Sequence, residues 1–161
     1  MAKKNNKIEK TNVMRILDAA KINYTEHSYV DTDAISGIEV AEVMNQDPMQ
    51  VFKTLVVRAN TGEILVFMVP SASELNLKKA AVLAGVKNVE MIKSRELLPL
   101  TGYIHGGCSP IGMKKVYRTF IDESHKSFKT VICSAGKIGY QVEISFDNLV
   151  KIIPVVSGSI I

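Results

Sequence analysis

Two apolar runs decide most of what this chain can become. Val51, Phe52, Leu55, Val56 and Val57 crowd into one short stretch, and Ile64-Leu65-Val66-Phe67-Met68-Val69 follows just after Asn60-Thr61-Gly62. A strand with one wet face alternates apolar and polar residues; these runs hardly alternate, so strands over 51–58 and 63–70 must be covered on both faces. The turn residues between them make the pair an antiparallel hairpin. Such a hairpin belongs in the middle of a sheet, and the layers that cover it must come from the rest of the chain. With 161 residues there is room for one domain with a real core, and not for two ordinary ones.

The flanking signals supply those layers. Thr11 caps a helix whose Val13, Ile16, Leu17 and Ala20 share one face, and a strand over 24–30 follows. Ser36-Gly37-Ile38-Glu39 is a capping box opening a short helix with Val40, Val43 and Met44 inward, and Asp47-Pro48 begins another helical turn. Asn76 caps a helix with Leu77, Ala80, Ala81 and Ala84 on one face, ended by Gly85. A short strand near Val89 and Met91, a helical turn from Ser94, and strands over 116–121 and 129–133 come next, the last two separated by a polar connection over 122–126. A small-residue loop over 134–139 precedes a strand in which Tyr140, Val142 and Ile144 alternate with Gln141 and Glu143. Ser145 then caps a last helix with Phe146, Leu149 and Val150 inward. Runs of strands outnumber strand-helix-strand units, which predicts an α+β domain with a curled, mixed sheet and short helices outside it. Residues 1–10 read as a flexible basic lead-in, and 11–161 as the single domain.

Composition narrows the class. A hydrophobic content of 47% with 22% charged residues argues against disorder. The longest apolar run, over 64–69, is far below the ~20 residues of a membrane helix, and no secretory apolar segment follows Met1, so a soluble cytoplasmic protein with no membrane partner is expected. Cys108 and Cys133 are too few for a disulfide framework and are expected to be reduced. A net charge of +4 and a pI near 9.0 are mild, but the clusters Lys78-Lys79, Lys114-Lys115-Arg118 and Lys126-Lys129 suit contacts to phosphates as well as they suit a solvated surface.

Chemistry concentrates in a few places. In His105-Gly106-Gly107-Cys108-Ser109-Pro110-Ile111-Gly112 the paired glycines allow a ligand close to backbone N–H groups, and Pro110 stiffens the loop. Lys53 interrupts an apolar strand where an unpaired ammonium is costly, so it must face a cavity, a partner or an edge, and there it offers a fixed positive charge. Cys108 with His105 as base is a poor nucleophilic pair, because such partners are usually distant in sequence. His105, Cys108 and Cys133 fall short of a zinc site, and His27, near Tyr29 on its strand, reads as structural or pocket-lining. The phosphate-binding, dinucleotide and serine-hydrolase signatures are absent.

Taken in order, Val51-Phe52-Lys53-Thr54-Leu55-Val56, Leu75-Asn76-Leu77-Lys78-Lys79-Ala80-Ala81, Thr101-Gly102-Tyr103 running into the glycine loop, and Ser134-Ala135-Gly136-Lys137 resemble the YbaK family of free-standing aminoacyl-tRNA deacylases, relatives of the editing domain inserted in some prolyl-tRNA synthetases. The likeness spans 11–153. It implies a mixed, barrel-like sheet ringed by helices, with a pocket for the aminoacyl-adenosine end of tRNA. Lys53 matches the family's essential lysine, Tyr29 its pocket tyrosine, Gly106-Gly107 its backbone-donor loop and Ser134 the serine of its second loop; Thr54, Ser109 and Gly136 join the substrate-binding set. No metal or cofactor is implied. The implied activity is cleavage of mischarged Cys-tRNA(Pro), with Cys-tRNA(Cys) a second candidate, in which the substrate's own thiol attacks its ester carbonyl. The implied partners are the charged tRNA and prolyl-tRNA synthetase. The competing reading is a non-catalytic module that binds a tRNA end or an aminoacyl-adenylate, which has no particular need of a lysine at position 53.

Overall fold

The computed structural model describes residues 9–161, so most of the expected lead-in over 1–10 lies outside the described residues. The elements in order are α1 (Asn12–Ala19), β1 (Thr25–Ser28), α2 (Gly37–Val43), β2 (Phe52–Ala59), β3 (Ile64–Pro70), α3 (Leu77–Ala84), β4 (Val89–Met91), α4 (Leu97–Thr101), β5 (Arg118–Asp122), β6 (Val131–Ser134), β7 (Tyr140–Ile144), α5 (Phe146–Leu149) and β8 (Val155–Gly158). The buried hairpin forms as its apolar runs require, with Lys53 opposite Val69 and Val57 opposite Leu65. The α+β class stands. In place of one continuous curled sheet there are two: a mixed five-stranded sheet in the order β4-β2-β3-β5-β8, and an antiparallel three-stranded sheet in the order β1-β7-β6. A single parallel bridge between Val51 and Ile132 joins them.

Both faces of the hairpin are covered. On one side Phe52 and Met68 pack with Val13, Met14 and Leu17 of α1 and with Val142 and Ile144 of the smaller sheet. On the other, Val57, Leu65, Phe67 and Val69 pack under Ala80, Ala81 and Ala84 of α3, and the Phe67 and Phe120 rings stack at 4.9 Å.

The helix starts follow their caps. Thr11 Oγ1 accepts from Met14 N–H, Ser36 and Glu39 form the reciprocal box, Asn76 Oδ1 accepts from Lys78 and Lys79, and Ser145 Oγ accepts from Asn148. Several side chains depart from expectation. Met14 is buried where Ala20, at the helix end, is exposed. Val43, Leu77 and Val150 stay 51%, 39% and 39% exposed because the short helices turn them off the core face. Asp47-Pro48 opens the expected single turn, with Val51 N–H donating to Asp47 O at 3.2 Å, and it goes no further because Val51 enters the bridge to β6. The polar 122–126 stretch coils into a 3-10 helix, Glu123–Ser127, that buries His125 against the Phe146 ring.

Candidate active site

An interruption in strand pairing creates the site. Val51, just before β2, makes the single bridge to Ile132 of β6, and β2 pairs with β4 only from Val57 onward, so among the described residues no strand ladder covers Phe52–Leu55 on that side. Residues of an antiparallel ladder turn both backbone groups alternately toward one neighbour and then the other. Ser71 N–H donates to Val51 O at 2.7 Å and Ala59 N–H to Glu63 O at 2.8 Å, which assigns the odd-numbered residues to β3. The N–H and C=O of Thr54 therefore face the gap. The gap opens into a cavity of about 430 Å3.

Five of the eight expected site residues line this cavity: Tyr29, Lys53, Thr54, Gly106 and Ser134. Lys53 keeps its ammonium 3.8 Å from the carboxylate of Glu74, which is 95% exposed, so the charge stands at the cavity and is only loosely paired. Thr54 Oγ1 is buried and has no hydrogen-bond partner among the described residues. The buried ring of Tyr29 is fixed by Tyr29 N–H donating to Gly139 O and by packing on Ala34 and Val40. Ser134 Oγ accepts from Gly136 N–H at 3.0 Å, which leaves the hydroxyl proton to donate elsewhere. Gly106 has φ of +87°, and a Cβ there would sit 2.9 Å from an Ile35 methyl, so the loop comes this close to the segment leading into α2 only with glycine.

The other three stand beside the cavity. Gly107 N–H is already donated to Ile104 O at 3.0 Å, which removes it as a free backbone donor. Ser109 is fully buried and its Oγ accepts from Ile111 N–H. Gly136 lies under the Tyr103 ring. The structure adds residues that the pattern of the sequence hid. Gln141 lines the cavity while 4% exposed, locked by a reciprocal amide pair with Gln46 at 3.0 and 3.2 Å. Alternation in β7 assigns Gln141 to the face opposite Val142, a face that reads as solvent but looks into the cavity. Gly37 and Glu39 also line it; the Glu39 carboxylate is committed to the N–H groups of Ile35 and Ser36, both at 3.1 Å.

The cysteines sit in the wall without a base. Burial pushes the thiols of Cys108 and Cys133 up to about 12, so both are neutral near pH 7. His105 lines the cavity, yet no hydrogen bond joins it to Cys108 among the described residues. His27 lies off the cavity, paired with Glu143 at 2.8 Å across β1 and β7, a structural role. Among the described residues no three His, Cys, Asp or Glu side chains gather as metal ligands.

A cavity holding a cation, hydroxyls and bare backbone, with no nucleophile-base pair, suits a substrate that is already activated. Residues 32–152 match the family model of the aminoacyl-tRNA editing domain. The chain belongs to that family. This editing domain is 40% identical over 153 residues to EbsC of Enterococcus faecalis, which carries the provisional name Cys-tRNA(Pro)/Cys-tRNA(Cys) deacylase, covering 94% of this chain and 93% of that one. It is 29% identical over 133 residues to a proline–tRNA ligase of Brachyspira hyodysenteriae, where it corresponds to 81% of this chain and only 23% of the ligase. A crystal structure of a protein provisionally described as a trans-editing enzyme for prolyl-tRNA synthetase shares the fold, with a TM-score of 0.77 at 19% identity, covering 94% of this chain and 98% of that one. No helix among the described residues is long and apolar enough to cross a membrane.

Proposed function

We propose that this editing domain acts in trans as an aminoacyl-tRNA deacylase, cleaving the ester of mischarged Cys-tRNA(Pro) in the cytoplasm, with prolyl-tRNA synthetase as its partner in charging. The observation that carries the reading is the cavity itself, where Lys53, Thr54, Ser134 and the Gly106 backbone converge and both protein thiols are neutral. An aminoacyl ester needs positioning and charge stabilisation more than it needs an enzyme nucleophile. The cysteinyl sulfur attacks its own carbonyl carbon, the bond from that carbon to the ribose oxygen breaks, the ribose oxygen takes up the proton that the thiol released, and the four-membered thiolactone that leaves is opened by water to free cysteine. Lys53 offsets the charge that develops on the nucleotide side, the edge of β2 and Gly106 present N–H groups to the carbonyl oxygen, and the hydroxyls of Tyr29, Thr54 and Ser134 orient the terminal ribose. The neutral Gln141 amide bounds the space left for the amino-acid side chain.

The test is single-turnover release of cysteine from charged tRNA(Pro). Lys53→Ala is expected to slow release about 100- to 1,000-fold, the loss typical of removing one group that stabilises a developing oxyanion, with the melting curve close to wild type. An Ala variant with wild-type turnover removes Lys53 from the mechanism, and wild-type protein that binds charged tRNA without cleaving it establishes the non-catalytic module instead.

A further inference from the structure

We propose that a ring of aliphatic side chains around the mouth of the cavity seats the unpaired bases next to the 3′-terminal nucleotide of the RNA substrate; this rests on the aminoacyl-tRNA reading above. Val30, Ile35, Ile38, Ile104 and Ile138 are 50%, 50%, 54%, 54% and 37% exposed, and none belongs to a core cluster. They come from separate segments that close on one spot. The position of a Cβ on Gly106 lies 2.9 Å from Ile35 and 3.5 Å from Ile138, the backbone of Gly139 abuts Val30, and Ile104 O accepts the N–H of Gly107 in the same loop. Ile35 precedes the Ser36 cap of α2 and Ile38 lies in the first turn of that helix.

Large aliphatic side chains left half in water around a binding cavity mark a contact surface. The size of the ring says what kind. A stable protein–protein interface takes roughly 20–30 residues a side, and five side chains are too few. A cavity of about 430 Å3 is of the size that holds a terminal nucleoside with its aminoacyl group, which places the next units of a polymeric substrate at the rim. Their phosphates are not what the ring suits, since exposed Asp31 and Asp33 follow Val30 on the same loop. Base faces are, because every base offers an apolar surface whatever its identity. The exposed Lys137, next to Ile138, is paired among the described residues only with the exposed Glu9 carboxylate, at 3.2 Å, a surface pair that a connecting phosphate can replace.

The test uses the double variant Ile104→Ser, Ile138→Ser, whose side chains lie outside the cavity lining. The same aminoacyl group is presented on adenosine alone, on the 3′-terminal trinucleotide and on full-length tRNA, and kcat/KM is measured for each, together with the inhibition constants of uncharged adenosine and trinucleotide. Withdrawing roughly 50 Å2 of apolar contact is expected to lower kcat/KM about tenfold for the trinucleotide and for tRNA, and to weaken trinucleotide inhibition equally, while both adenosine readouts stay within twofold. An equal loss on adenosine and trinucleotide overturns the proposal in favour of a distorted cavity. An unchanged trinucleotide rate overturns it too, and if tRNA cleavage then falls only when a synthetase is present, the ring belongs to a protein partner. Failure of the wild type to cleave any of the three refutes the deacylase reading itself, separately from the rim.

Discussion

Thr54→Val moves stability and activity in opposite directions. The hydroxyl of Thr54 is buried and finds no partner among the described residues, although the residue stands on the cavity wall beside Lys53. A buried polar group left without a hydrogen bond costs about 1–3 kcal/mol, and valine offers a similar shape without it. The variant should therefore gain about 1 kcal/mol, which for a chain of this size raises Tm by about 2–4 °C. If the hydroxyl is held in reserve for the substrate, the same change removes one hydrogen bond from the bound state and lowers kcat/KM by about tenfold. Thermal melts and single-turnover deacylation on one preparation measure both, and Thr54→Ser is the control that keeps the oxygen and loses the methyl. A valine variant that melts below wild type, or that gains stability and keeps full kcat/KM, refutes the reasoning.

Cys108→Ser should keep most of the activity, and Cys108 should alkylate slowly, because a thiol pushed up to about 12 is thiolate in only about one molecule in 100,000 at pH 7; rapid labelling by iodoacetamide, or a dead serine variant that still binds tRNA, overturns this. Gly37→Ala should cost about 1–3 kcal/mol, since its Cβ falls on the Ser71 hydroxyl that donates to Val51 O, and a melt unchanged from wild type contradicts the close approach. His125 is buried against Phe146 and hydrogen-bonded to Ser157 at 2.9 Å, and burial holds its pKa below the ordinary value of 6.5. The unfolded chain then takes up the proton first, so the His125 contribution is intact above about pH 7 and is lost as the pH falls through 6.5 toward the lowered folded value. Stability measured from pH 7.5 to 5 should fall less steeply in His125→Gln, and an identical slope removes His125 as the cause.

Features written in local chemistry were legible before the structure. The caps at Thr11, Ser36, Asn76 and Ser145 each satisfy backbone N–H groups within three residues, and the hairpin is announced by its own turn. Pairings between distant segments carry no such mark. The parallel registers of β3 with β5 and β5 with β8 join residues far apart in sequence, and β8, with Val156 52% exposed, has too little apolar pattern to announce itself. The site divides in the same way. Lys53 betrayed itself by sitting where an ammonium does not belong, and the resemblance supplied Tyr29 and Ser134. Gln141 stayed hidden because a polar residue alternating with apolar ones looks like a solvent-facing residue, and only its pairing with Gln46, 95 residues away, shows otherwise. Gly107 misled in the opposite way: a glycine pair promises two free amides, and the turn to Ile104 uses one.

The apolar hairpin that dictates the fold also supplies the site, and this is possible because its ladder is left unfinished. Were β2 paired along its whole outer edge, Lys53 would need burial or ejection and the backbone of Thr54 would be spent on a neighbouring strand. The break between the Val51 bridge to β6 and the start of β4 pairing at Val57 leaves that stretch of edge without a partner strand among the described residues. An unpaired edge inside a domain is a stability cost that survives only if something else occupies it. On the proposed function, a ligand that brings a carbonyl oxygen and ribose hydroxyls to the edge would be such an occupant, and its binding would complete hydrogen bonding that folding leaves open. Residues along that edge are where gains in stability and losses of activity should coincide, and Thr54, whose hydroxyl and backbone are both unspent, is where the coupling should be strongest.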